Sequence, residues 1–192
     1  MSLTRPLQLA HVVYRTRRFE QMANWYKTVF GAKVLCENPV MSFLTFDNEH
    51  HRFALINLGA VRPDVVEPDR RSLVGVDHVA YTYRSLTDLL ENYSELKALG
   101  IEPYWCVHHG LTVSMYYADP DGNQMEFQID VFPTAEELQA YISGPSFGAN
   151  PIGVEFDPAE WLARLRAGTP ASELIARESD EPVSPLRGLI AA

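Results

Sequence analysis

Over the first 130 residues, short apolar runs bracket a helical stripe, and the pattern occurs twice. Leu9–Thr16 (LAHVVYRT) is a compact run of β-formers and predicts a strand. Phe19, Met22, Ala23, Tyr26, Val29 and Phe30 then recur at helical spacing, with Gly31 as the stop. AKVLCEN, SFLTFDN and RFALINL follow as three strand-like runs separated by turn residues. The order is β-α-β-β-β. After a polar, Pro-containing stretch (62–71) it restarts with VDHVAYTY (76–83). Ser85 is placed to cap a second helix, with Asp88 three residues on. Leu86, Leu89, Leu90, Tyr93 and Leu96 form its stripe, and Gly100 ends it. IEPYWCVHH, LTVSMYYAD and NQMEFQID complete the second set of strands.

The two copies align by register: LAHVVYRT lies over VDHVAYTY with His11 on His78, Val12 on Val79 and Tyr14 on Tyr81. Two copies with so long a period fit a paired-module domain better than a solenoid. The expected fold class is therefore α+β: two paired βαβββ modules, residues 7–61 and 74–131, forming a curved mixed sheet around a cleft. Residues 132–192 differ in character. Residues 131–192 hold seven of the chain's 13 prolines. Thr134 with Glu137, and Asp157 with Pro158 and Glu160, predict two short capped helices. They are expected to form a helical extension that covers the modules as a lid or brace, with the last ten residues disordered.

Composition narrows the partners. In 192 residues, 46% are hydrophobic, enough for a core, and the net charge is −9. That charge disfavours nucleic acid and anionic membrane as partners. No apolar run reaches the ~18–20 residues of a membrane span, and the N-terminus lacks a signal-peptide core. Cys36 and Cys106 do not make a disulfide framework, so a cytoplasmic protein is expected.

The histidines carry the chemistry. Of six, His11 and His78 stand singly at matching places in the two modules. Glu126, between Met125 and Phe127, stands in the last strand of the second module. Two His and one carboxylate are the usual ligand face for non-haem Fe(II), leaving positions open for O₂ and a chelating substrate. A single such His is more simply a hydrogen-bonded strand residue. Two at repeat-equivalent positions, with a Glu that would be costly to bury unpaired, favour a metal site at His11, His78 and Glu126.

A further motif joins these residues. Val107-His108-His109-GLTVS-Met115-Tyr116-YA-Asp119-Pro120-D-Gly122-NQM-Glu126 resembles the signature of the type I extradiol ring-cleavage dioxygenases, within the vicinal oxygen chelate superfamily that includes glyoxalase I and the bleomycin-resistance proteins. The resemblance covers about residues 7–130 and is to the small one-domain branch, since many familiar members carry four modules. It implies that Glu126 is the third iron ligand, that Tyr116 hydrogen-bonds a substrate or iron-bound oxygen, and that His109 is a donor near the substrate hydroxyl. The turn Asp47-Asn48-Glu49-His50-His51-Arg52 resembles the family's His-His turn, which implies an acid/base role for His51 near the O₂ site. His50 and His108 are the structural members of their pairs on this reading. Glyoxalase-type sites take a carboxylate from both modules. Here no Asp or Glu occurs from His50 to Pro63, so three ligands are expected rather than four.

The resemblance thus implies an Fe(II) enzyme that inserts O₂ into a catechol-type diol, acting as a homo-oligomer. The alternatives are a Zn²⁺ or Ni²⁺ isomerase of the same superfamily and a metal-free drug-binding module.

Overall fold

The computed structural model describes residues 9–49, 51–64, 76–176 and 182–188. His50, expected to be structural, lies outside the described residues. The chain divides into two compact units, residues 1–71 with 119–122, and residues 72–118 with 123–192. Among the described residues no helix is long and apolar enough to cross a membrane.

The first unit runs β1 (Val12–Thr16), α1 (Phe19–Val29), β2 (Lys33–Glu37), β3 (Met41–Thr45), β4 (Phe53–Asn57) and a short α2 (Leu58–Val61). The expected β-α-β-β-β order is present. Its four-stranded sheet has the order β1-β4-β3-β2, with β1 parallel to β4 and the other pairs antiparallel. The stripe of α1 buries Met22, Ala23, Tyr26 and Val29, and the helix packs on β3 and β4, which contribute Leu44, Phe53 and Leu55 to the core. Tyr26 is fully buried, and its Oη donates to Asp119 in the turn that groups with this unit.

The second unit repeats the order with β5 (His78–Thr82), α3 (Leu86–Ala98), β6 (Trp105–His108), β7 (Thr112–Ala118) and β8 (Gln124–Asp130). Ser85 caps α3 as its position predicts, accepting the Asp88 N–H, and the stripe Leu86, Leu89, Leu90, Tyr93 and Leu96 is buried. The strand order is β5-β8-β7-β6-β9, where β9 (Val154–Glu155) is an edge strand supplied by the C-terminal segment. Successive side chains on a strand point to opposite faces. Val113, Met115 and Tyr117 of β7, with Met125, Phe127 and Ile129 of β8, therefore share one buried apolar face. Thr112, Ser114 and Tyr116, with Gln124 and Glu126, share the other, which is equally buried but polar. A buried polar face is costly unless its groups are paired, and this one positions the candidate site.

The C-terminal segment carries α4 (Ala135–Ile142), α5 (Pro145–Ala149), α6 (Pro158–Arg166) and α7 (Ala171–Leu174). The two predicted caps are present, at Thr134 on α4 and Asp157 on α6. The last ten residues depart from the expectation of disorder as far as Gly188. Ser184 is buried, and its N–H donates to the Gly153 carbonyl. Residues 189–192 lie outside the described set.

Gly153 fixes how closely this segment approaches β6. Its φ is +111°, and a Cβ there would collide with the His108 carbonyl and the His109 Cα. We expect Gly153→Ala to destabilise the protein by about 1–3 kcal/mol, read as a lower denaturant midpoint at unchanged slope. It should also displace the His108–His109 backbone, read as a shift of the His109 ring resonances. An unchanged midpoint would show that the segment is not tightly docked.

Candidate functional site

The second unit gathers four of the six candidate residues. His78 opens β5, and Glu126 is the third residue of β8. The parallel pairing sets Ala80 beside Glu126 and His78 beside Gln124, so His78 and Glu126 share a face two residues apart in register. His78 Nε2 lies 3.1 Å from Glu126 Oε2, and its Nδ1 lies 2.8 Å from Asp77 Oδ1. The imidazole is thus oriented by a carboxylate on one nitrogen and turns the other toward Glu126. The hydrogen bond with Glu126 is the main cause that lifts His78 to about 9, against the opposing effect of burial. Burial alone would raise Glu126. Hydrogen bonds from His78 and Ser114 outweigh it and hold the carboxyl below its ordinary range.

Tyr116 lies directly across the ladder from Glu126. Burial first, and the Glu126 charge second, push its phenol well above the ordinary tyrosine value, so it stays a protonated donor. His109 sits 3.1 Å from the Tyr116 hydroxyl through Nε2, and its Nδ1 faces the Ile152 carbonyl. A carbonyl only accepts, so Nδ1 carries a proton and, in the neutral ring, Nε2 is free to accept from Tyr116. Trp105 stacks on Tyr116 with centroids 4.9 Å apart. A cavity of about 180 Å³ opens against Asp77, His78, His109 and Tyr116, and Ile152, Leu186 and Arg187 of the C-terminal segment line it as well.

His108 does not share this face. Its Nδ1 accepts from the Gly110 N–H, so the neutral ring carries its proton on Nε2, which donates to the Ile175 carbonyl. It is buried and structural, in accord with its alternation along β6.

The first unit holds the other two candidates. His11 is exposed and immediately precedes β1 rather than lying within it. The His51 ring stacks against it, centroids 4.3 Å apart, and also against Phe43 at 4.6 Å. Arg52 fixes this arrangement. Its guanidinium grips Asp47 through Nε and donates from Nη1 to the carbonyls of Leu9 and Ala10, the two residues before His11. The register places an alanine at the matching position of this unit. Val13 pairs with Ala54 as Ala80 pairs with Glu126, so Ala54 stands where the second unit has its carboxylate.

Sequence reasoning missed Asp77, Arg52 and the cavity-lining residues of the C-terminal segment. Asp77 was legible as the acidic neighbour of His78. Arg52 was not, because its partners are backbone carbonyls. Within neither unit do three His, Cys, Asp or Glu side chains among the described residues gather as a metal-binding group. The pair in hand still fits a divalent first-row cation. It offers one imidazole nitrogen and one buried carboxylate facing each other, and a second carboxylate on the far imidazole nitrogen, which is the usual support of a metal-ligating histidine.

Comparison with known proteins places the chain. The family model described as the glyoxalase/bleomycin resistance protein/dioxygenase superfamily matches residues 8–127. Two curated relatives come from Rhodococcus globerulus. Biphenyl-2,3-diol 1,2-dioxygenase 2 is 49% identical over 172 residues, covering 90% of this chain and 88% of that protein. Biphenyl-2,3-diol 1,2-dioxygenase 3 is 44% identical over 171 residues, covering 88% of each. Among solved structures, the lactoylglutathione lyase of Agrobacterium tumefaciens aligns with a TM-score of 0.52 at 20% identity, covering 66% of this chain and 96% of that one. A glyoxalase/bleomycin resistance protein/dioxygenase from Nocardioides aligns at 0.53, also at 20% identity, covering 67% and 86%. The structural likeness supports the fold alone, while the sequence likeness and the family model fix the lineage: the chain belongs to the glyoxalase/bleomycin resistance protein/dioxygenase superfamily.

Proposed function

We propose that this protein is an extradiol dioxygenase that opens an aromatic vicinal diol with O₂, on Fe(II) held by His11, His78 and Glu126. The observation that carries the reading is the 49% identity over 90% of the chain to a protein named biphenyl-2,3-diol 1,2-dioxygenase. The site geometry supports it. An isomerase-type site on this fold takes a carboxylate from each module, and Ala54 occupies that register position in the first.

His11, His78 and Glu126 would hold the iron, which would supply the Lewis acidity that the diol needs and the redox chemistry that O₂ requires. The rest falls to the protein. Asp77 holds His78 in the orientation that turns Nε2 to the site. Tyr116, kept protonated by burial and by Glu126, turns its one O–H from His109 Nε2 to an oxygen of the bound diol. His109, with its Nδ1 proton committed to Ile152, takes up through Nε2 a proton that the diol gives up as it binds. His51, beside His11, moves a proton during ring attack. The reaction balances without another reductant: the carbon–carbon bond next to one hydroxyl breaks, and both atoms of O₂ enter a yellow, conjugated 2-hydroxymuconate-type acid. Orientation of the reactants provides much of the acceleration.

The anaerobically iron-loaded protein should consume one O₂ per biphenyl-2,3-diol or catechol and generate a yellow product. Turnover of a glyoxalase-type substrate with Zn²⁺, and no O₂ uptake with any diol, would overturn the reading.

Substitutions should separate ligands from proton carriers. His78→Ala and Glu126→Gln should lose iron while circular dichroism stays native, because each sits on a framework strand. His51→Gln should keep its iron and still bind diol, with single-turnover rate lowered by roughly 10²–10⁴. His109→Gln and Tyr116→Phe should lose less. Loss of iron from His51→Gln would make His51 a ligand and the proposed triad wrong.

A further inference from the structure

Residues 182–188 form an extended strap that is held near both ends. At its start, the Ser184 N–H donates to the Gly153 carbonyl, and the Ser184 hydroxyl accepts the Trp105 indole N–H at 2.9 Å. The same hydroxyl lies 3.1 Å from Glu155 Oε1. At its end, Gly188 rests against Gln124 with φ +78°, so closely that a Cβ would collide with the Gln124 amide oxygen. Gln124 is the register partner of His78, and its amide donates to the Asp77 carbonyl. The strap is therefore fixed at Ser184 to the aromatic stack and at Gly188 to the floor beside the proposed ligand His78.

Between these anchors Leu186 and Arg187 line the cavity. They differ in what they can offer a ligand. Arg187 is occupied: its Nε and Nη2 donate to the two carboxylate oxygens of Glu155 at 2.7 and 3.1 Å. Its charge is neutralised by a fork-to-fork pair, the strong geometry for such ions. Leu186 is apolar and 46% exposed, so part of its hydrocarbon surface is open where it lines the cavity. Ile152, half-buried, adds a second apolar side chain from the same C-terminal segment.

We propose that the strap Pro182–Gly188 is the wall that selects the substrate's substituent, with Leu186 as the specificity-determining side chain and Ser184 as the residue that positions it. The substrate class it favours is a diol carrying an uncharged hydrocarbon group, which would cover Leu186 and Ile152, over an unsubstituted diol. The proposal rests on the ring-cleavage reading of the site. It goes beyond it by giving the C-terminal segment a role in recognition rather than in iron binding or proton transfer.

The test compares biphenyl-2,3-diol with catechol on the full-length, iron-loaded protein. Leu186→Ala and Leu186→Asp change an exposed side chain, so iron content and melting temperature should match wild type. Both should lower kcat/KM for biphenyl-2,3-diol relative to catechol, by roughly tenfold for Leu186→Asp, the scale at which apolar pockets discriminate. Anaerobic titration, which reads diol affinity without turnover, should show the same selective loss. Ser184→Ala should raise KM for biphenyl-2,3-diol with kcat little altered, because it loosens the strap and leaves Tyr116, His109 and the ligands in place. Unchanged selectivity in both Leu186 variants, in turnover and in affinity alike, overturns the proposal while leaving the ring-cleavage reading intact. A wild type that cleaves neither diol overturns the ring-cleavage reading, and the affinity titration then still decides whether the strap selects.

Discussion

A carboxylate buried on a strand governs this site. Met125 and Phe127 must face the apolar side of the second sheet, so alternation sends Glu126 to the other side, where it is only 6% exposed. An ionised carboxyl in that position costs several kcal/mol unless it is paired. His78 supplies the pairing, Ser114 a hydrogen bond, and Asp77 holds His78 in place. Once one strand carries that charge, its neighbours on the same face are polar in turn: Thr112, Ser114 and Gln124 are all buried there. The C-terminal segment adds Ile152, Leu186 and Arg187 to the lining of the cavity on this face. A buried carboxylate with an imidazole nitrogen directed at it is the electrostatic preparation a cation site needs, and burial, with the same charge second, keeps the phenol of Tyr116 neutral.

Most of the framework was legible because it is local. The stripes of α1 and α3 and the alternating runs of β7 and β8 follow from the side-chain period. The caps at Ser85, Thr134 and Asp157 follow from the side-chain oxygens that satisfy free helix N–H groups. The choice of His78 was legible through duplication: matching His11 to His78 singled out two histidines from six. What escaped was non-local. β9 is two residues long, too short to leave a periodic pattern, and it exists because Gly153 allows the chain to pass against His108. The strap has no periodicity either. Its place at the end of the sequence suggested disorder, yet Trp105 and Glu155, both far off in sequence, bond to its Ser184 and Arg187. Place in the sequence reports what a segment can do alone, and this segment is held by others.

The two modules show how a duplicated fold acquires an asymmetric site. Their parallel pairs, β1 with β4 and β5 with β8, keep one register: His11 and His78 stand at equivalent places, and so do Ala54 and Glu126. The position that is a buried carboxylate in one copy is a buried methyl in the other, 4% exposed and needing no partner. With no carboxylate to face, His11 keeps different company. It stacks on His51, and Arg52 secures the backbone before it through two carbonyls, so the first copy offers a pair of imidazoles where the second offers an imidazole and an anion. Among the proposed ligands the first copy gives an imidazole alone and the second an imidazole with the one carboxylate.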